Sequence, residues 1–122
     1  MKRYTKDHEW AELDGKEAIV GISEYAAKEL GDITYVELPA EQRKIKAGES
    51  LGVIESVKAA TDVYAPVGGT VVAVNSQLAD SPELVNESAE AKGWICRIAD
   101  FDASDFEKLM DAAAYAKFTG AE

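Results

Sequence analysis

The stretch Leu51-Gly52-Val53-Ile54-Glu55-Ser56-Val57-Lys58-Ala59-Ala60-Thr61-Asp62-Val63-Tyr64-Ala65-Pro66 decides the fold. Its two arms, 51–54 and 61–65, are β-branched and aromatic enough to pack as strands on a pleated face. The chain turns back between them, which puts Lys58 at the tip of a hairpin spanning about 51–65. Pro66 supplies no backbone donor to a ladder and ends the second arm. A lysine at a turn is by itself only a solvated charge. Here Ser56, Ala59 and Ala60 leave little bulk around the ammonium, so the active site of another protein can enclose it.

Working outward, residues 8–13 and 17–22 read as strands on either side of Asp14-Gly15, a strong hairpin signal. Ser23 is placed to cap a helix over 24–30, and Gly31 to stop it. Another strand, 33–38, ends at Pro39, and a brief extended piece at 45–46 precedes the lysine hairpin. After the Gly68-Gly69 turn come a strand over 71–74, a loop over 76–81, and a helical turn with Leu84 and Val85 inward. Residues 86–93 read as polar and exposed, and 93–98 as the last strand. Asp102 or Ser104 is expected to cap a helix carrying Phe106, Leu109 and Met110 on one face, so the C-terminal segment of about 104–118 is helical. Residues 119–122 are expected to fray. Short strands at such regular spacing predict a small, mainly β sandwich or barrel. The order of strand, proline and turn before the lysine is echoed after it, which predicts two similar half-sheets packed face to face.

A chain of 122 residues is one domain's length, here 1–122. Its 23 acidic groups against 13 basic ones give a net charge of −10, which repels nucleic acid, holds copies apart as monomers and favours partners with basic surfaces. No apolar run approaches the roughly 20 residues of a membrane span. Met1-Lys2-Arg3 leads into Tyr4-Thr5-Lys6-Asp7 and not into a signal core, so the expected location is cytoplasmic, or the mitochondrial matrix if a transit segment has been removed. Cys96, in Trp94-Ile95-Cys96-Arg97-Ile98, reads as a buried small hydrophobe. One cysteine and one histidine, His8, cannot assemble the usual structural zinc set, and neither sits in a context that activates it for catalysis. The chain is therefore expected not to be an enzyme.

Several separated motifs belong together. Glu55-Ser56-Val57-Lys58-Ala59 with Asp62, Asp7-His8-Glu9-Trp10, Val20-Gly21-Ile22, Leu30-Gly31-Asp32, Val36-Glu37-Leu38-Pro39 and Pro82-Glu83-Leu84-Val85-Asn86 resemble the H-protein family of the glycine cleavage system over nearly the whole chain. The resemblance implies a lipoyl-domain-like barrel-sandwich hybrid of two packed antiparallel sheets, with a short helix in the N-terminal half and C-terminal helices. It implies lipoate in amide linkage to Lys58, and a cleft lined by Glu9, Asp62 and Asp7 that shields the loaded arm. The implied partners are glycine decarboxylase (the P protein), aminomethyltransferase (the T protein), dihydrolipoamide dehydrogenase (the L protein), and a lipoate ligase or lipoyl/octanoyl transferase. Relatives with histidine at the position of Glu29 leave any role for that residue open. Two other readings of Lys58 stand beside this one: a lipoyl or octanoyl donor to other carriers, and a binding module whose lysine is never modified.

Overall fold

The computed structural model describes residues 2–120. The strands are β1 (Lys2–Tyr4), β2 (Glu9–Asp14), β3 (Glu17–Ile22), β4 (Ile33–Glu37), β5 (Lys44–Ile45), β6 (Ser50–Ser56), β7 (Ala60–Tyr64), β8 (Gly69–Val74) and β9 (Cys96–Ala99). The helices are α1 (Glu24–Leu30), α2 (Gln77–Asp80), α3 (Leu84–Ser88), α4 (Ala103–Glu107) and α5 (Ala112–Thr119). Two antiparallel sheets form, one ordered β1-β2-β3-β9-β8-β5 and the other β4-β6-β7. Their inward residues, among them Val20, Val71 and Ile98 from the first and Val36, Ile54 and Val63 from the second, share one apolar core. No helix among the described residues is long and apolar enough to cross a membrane.

The expected half-sheets are not what forms: the sheets have six strands and three. The segments on either side of Lys58 cross between them, so β4 and β6 lie in the small sheet while β5 joins the large one. The lysine hairpin itself is one antiparallel ladder within the small sheet, with Val53 opposite Asp62, Glu55 opposite Ala60 and a register shift between Ser50 and Gly52.

Local signals explain the elements that hold the site. Ser23 Oγ accepts the Ala26 N–H at 3.1 Å and starts α1, and Gly31 ends it at φ 78°, a left-handed conformation glycine adopts without strain. Trp10 is paired across the ladder with Gly21, and its indole lies over the glycine; a Cβ there would fall 2.8 Å from Trp10 Nε1. That packing ties the His8-Glu9-Trp10 segment to Val20-Gly21-Ile22.

Four further expectations are corrected. Residues 76–81 contain the helical turn α2, which buries Leu78. The 86–93 segment is not simply exposed: it continues α3 and buries Ala89. The C-terminal helix is two, because Met110 leaves the helix to exchange backbone bonds with Tyr4, at 2.8 and 2.9 Å. Of the two expected caps of the first helix Asp102 is the one that forms, Ser104 donating its hydroxyl to it, and Asp111 caps α5. Thr119 is still helical and Gly120 caps it, while 121–122 lie outside the described residues.

Candidate functional site

The tip that carries Lys58 is rigid at its base and open above. Ser56 Oγ accepts the backbone N–H groups of Lys58 and Ala59 at 3.1 and 3.2 Å, a serine turn that closes the hairpin without bulk. The Ser56 N–H donates to Ala59 O at 2.8 Å, and the Val57 N–H to Asp32 O at 3.0 Å. Asn86 secures that second anchor: it donates to Gly31 O and accepts from the Ile33 N–H, gripping the chain on both sides of Asp32. The Pro82-to-Asn86 motif therefore acts at a distance on the lysine turn. Lys58 Nζ, exposed, donates to Glu29 O at 3.3 Å, one of the unpaired carbonyls at the negative end of α1.

Beside that carbonyl opens a cavity of about 270 Å³ lined by Asp7, His8, Tyr25, Ala26, Glu29, Leu30 and Thr61. Its wall is aliphatic and aromatic along α1, with the carboxyl-bearing Asp7 and Glu29 also in the lining. Such a lining fits a short alkyl chain with a polar end, of the kind an acylated lysine would bring from the mouth. The residues present thus fit a lipoyl arm on Lys58.

The predicted acidic residues divide. Asp7 lines the cavity, as does Glu29. Asp62 is exposed on β7 next to Thr61 and accepts the Ser50 hydroxyl at 3.3 Å. Glu9 is only 2 % exposed and is not part of the lining; it lies behind, bonded to the Thr5 hydroxyl at 2.5 Å and to the Tyr64 N–H of edge strand β7 at 3.2 Å. Thr5 Oγ1 in turn accepts the Asp7 and Glu9 N–H groups, so one hydroxyl orders the whole turn. The lining residues sequence reasoning missed are His8, Tyr25, Ala26, Leu30 and Thr61; His8 stood in the Asp7-to-Trp10 motif, and the one signal for Tyr25, Ala26 and Leu30 was α1's short apolar face.

Burial raises the Glu9 carboxyl from 4.5 to about 7, outweighing the opposing bonds from Thr5 and Tyr64. Between those two values the folded protein binds more protons than the unfolded chain, so stability falls as pH rises through this window. The difference is fully present below 4.5 and lost above 7, and amounts to about 3 kcal/mol. Glu9→Gln is expected to remove this contribution. Urea unfolding of both proteins across the window checks it, and parallel pH profiles would refute it. Burial also pushes the Cys96 thiol up to about 12, which leaves it an inert core residue.

A model of the glycine cleavage H-protein family matches residues 2–122. The chain belongs to that family. It is 51 % identical over 116 residues to the glycine cleavage system H protein of Phenylobacterium zucineum, covering 95 % of this chain and 96 % of that one. To the H protein of Thermotoga maritima it is 47 % identical over 122 residues, covering 100 % and 98 %. A crystal structure of the H protein from Mycobacterium marinum superposes with a TM-score of 0.88 at 32 % identity, covering 98 % of this chain and 96 % of that one. As a glycine cleavage H-protein, the chain is a lipoyl-carrying, non-catalytic shuttle that passes the aminomethyl group of glycine from the decarboxylase to the aminomethyltransferase. Membership implies a lipoyl cofactor on a lysine and work alongside the other proteins of that system. The two-sheet fold with flanking helices agrees with the expected lipoyl-domain-like architecture.

Proposed function

We propose that Lys58 is the lysine that carries lipoate, in amide linkage, and that the cavity beside α1 receives the loaded arm. The observation that supports this most is the placement of an exposed amine on a braced hairpin tip, with Nζ against Glu29 O at the cavity's edge. The attached group supplies a disulfide that takes up the aminomethyl unit and is reoxidised after its transfer. Everything else falls to this chain. Ser56 and Asp32 hold the root still, so the arm searches a limited volume around docked enzymes. Asp7 lines the cavity and is a carboxylate placed to accept from the hydrogens of the cargo's amine. Glu9, behind the same turn, bonds the Thr5 hydroxyl and the Tyr64 N–H and so holds the segment that carries Asp7 against β7. Asp62 is the weaker contact, on the outer side of β7.

The outer face of the small sheet suits the partners. Cross-strand rows place Tyr35 beside Glu55, and Val53 between Glu37 and Asp62, all on the side opposite buried Val36, Ile54 and Val63. Among the described residues none of these three carboxylates has an ion pair. An aromatic and acidic face leading up to Lys58 suits basic surfaces on glycine decarboxylase, aminomethyltransferase, dihydrolipoamide dehydrogenase and the lipoate ligase or lipoyl/octanoyl transferase. Glu37→Lys with Glu55→Lys is expected to slow association with the decarboxylase about 10-fold at low salt, the gap closing at high salt. Stopped-flow association at two salt concentrations tests this, and salt-independent, unchanged rates would contradict it.

The functional assignment is tested by supplying the lipoylated protein to glycine decarboxylase and aminomethyltransferase with glycine and tetrahydrofolate. Methylene transfer proportional to the carrier supports it. Failure there, together with lipoyl donation to other carriers, would favour the donor reading.

A further inference from the structure

His8 is the one basic side chain in the cavity wall, and its position is set from the far end of the chain. Its backbone takes a left-handed φ of 72°, uncommon for any residue but glycine, and its carbonyl accepts the Ser23 N–H at 2.8 Å. Its Nδ1 lies 2.7 Å from the hydroxyl of Tyr115, on α5. That same hydroxyl lies 2.7 Å from Ser23 Oγ. Tyr115 is buried and stacked on Tyr4, with centroids 4.3 Å apart and planes 6° apart, so it has little freedom to move. Tyr25 packs against the imidazole at 4.9 Å.

Counting donors and acceptors orients the protons. Ser23 Oγ is fully buried and accepts the Ala26 N–H, so its own proton needs an acceptor, and Tyr115 Oη is the one within reach. Tyr115 then receives from Ser23 and gives its proton to His8 Nδ1. The neutral imidazole therefore carries its hydrogen on Nε2, which has no partner among the described residues. The reverse polarity would leave the buried Ser23 proton without an acceptor, and a Tyr115 oxygen accepting from both neighbours would leave its own proton without one among the described residues.

We propose that Tyr115 is a positioning residue that fixes the ring and tautomer of His8, so that the cavity offers an Nε2–H donor to the amino nitrogen of the cargo. Decay of an aminomethyl thioether begins when the nitrogen lone pair moves into the N–C bond as the C–S bond breaks and its electron pair leaves with sulfur; water then completes the release of formaldehyde and ammonia. A hydrogen bond donated to that lone pair withholds those electrons, while Asp7 can accept from the amine's own hydrogens. The α5 helix thereby serves the cavity without lining it. This protective role rests on the arm being at Lys58; the tautomer of His8 does not.

Tyr115→Phe keeps the stacked ring and removes only the hydroxyl. Two readouts are needed. In the unlipoylated wild type, long-range proton–nitrogen NMR of the neutral His8 ring is expected to show Nδ1 unprotonated and Nε2 protonated, and the variant a mixture of both tautomers. In the loaded protein, formaldehyde release is expected to be about five-fold faster in the variant. A wild-type ring protonated at Nδ1 overturns the proposal whatever the variant does. An altered tautomer with an unchanged release rate overturns the protective role. Intact mass of the same samples reports arm attachment separately, so a failure of the Lys58 assignment is recognised as such.

Discussion

Lys58→Arg is expected to leave the fold intact and abolish shuttling. Arginine keeps the charge and most of the reach at an exposed tip whose turn is held by Ser56 and by backbone bonds, so the melting temperature should stay within a few degrees. The guanidinium stays protonated and presents no amine to form the amide. With no root for the arm, glycine-dependent methylene transfer should fall to the level seen without the protein. The effect is all-or-none because no other group in the cavity can replace a tether. Transfer above that background would mean that the functional attachment lies elsewhere.

Gly52→Ala is expected to give the largest loss of stability. Gly52 sits at the irregular step of the β6–β7 ladder, and a Cβ there would lie 2.0 Å from the carbonyl oxygen of Glu37 on the neighbouring strand. A flexible side chain could turn aside, but a backbone carbonyl in a ladder cannot. Either β4 separates from β6 or the strand buckles, and both Leu51 and Ile54 flank the clash in the core. The cost should be about 3 kcal/mol or more, which lowers the melting temperature by roughly 10 °C in a domain of this size. Because β6 carries the lysine hairpin, lipoylation should become slower as well. Calorimetry of the unlipoylated variant checks the stability effect. A shift of only a degree or two would mean that the strands accommodate the methyl.

The parts legible in the sequence are those governed by neighbours along the chain. Ser23 before a helix, Gly31 after it and small residues around Lys58 are local signals that formed as read, and the Asp14-Gly15 hairpin formed with its turn one residue later, at Gly15-Lys16. The division into unequal sheets was not legible, because it depends on which strands pair across long separations, such as β3 with β9. The break between α4 and α5 was hidden for the same reason, since it is Tyr4 that draws Met110 out of the helix. The resemblance implies a cleft lined by Glu9, yet Glu9 lies buried behind the lining. Its burial comes from Tyr64 and Thr5 closing over it, and no spacing along the chain reports that closure. The Tyr115 ring is a core aromatic, and only its hydroxyl's approach to His8, 107 residues away, reveals the second role.

The family motifs carried what periodicity could not. Asp32, Gly31 and Asn86 come from two distant motifs, yet they form one clamp beneath the lysine turn. Gly21 and Trp10, from two others, are a single packing unit.

The most direct test is peptide-level mass spectrometry of the protein isolated from its own cells. The expected result is a lipoyl group on the peptide containing Lys58, with every other lysine unmodified. A protein that is functional in glycine-dependent transfer while Lys58 is bare, or while the lipoyl group sits on a different lysine, would contradict the account.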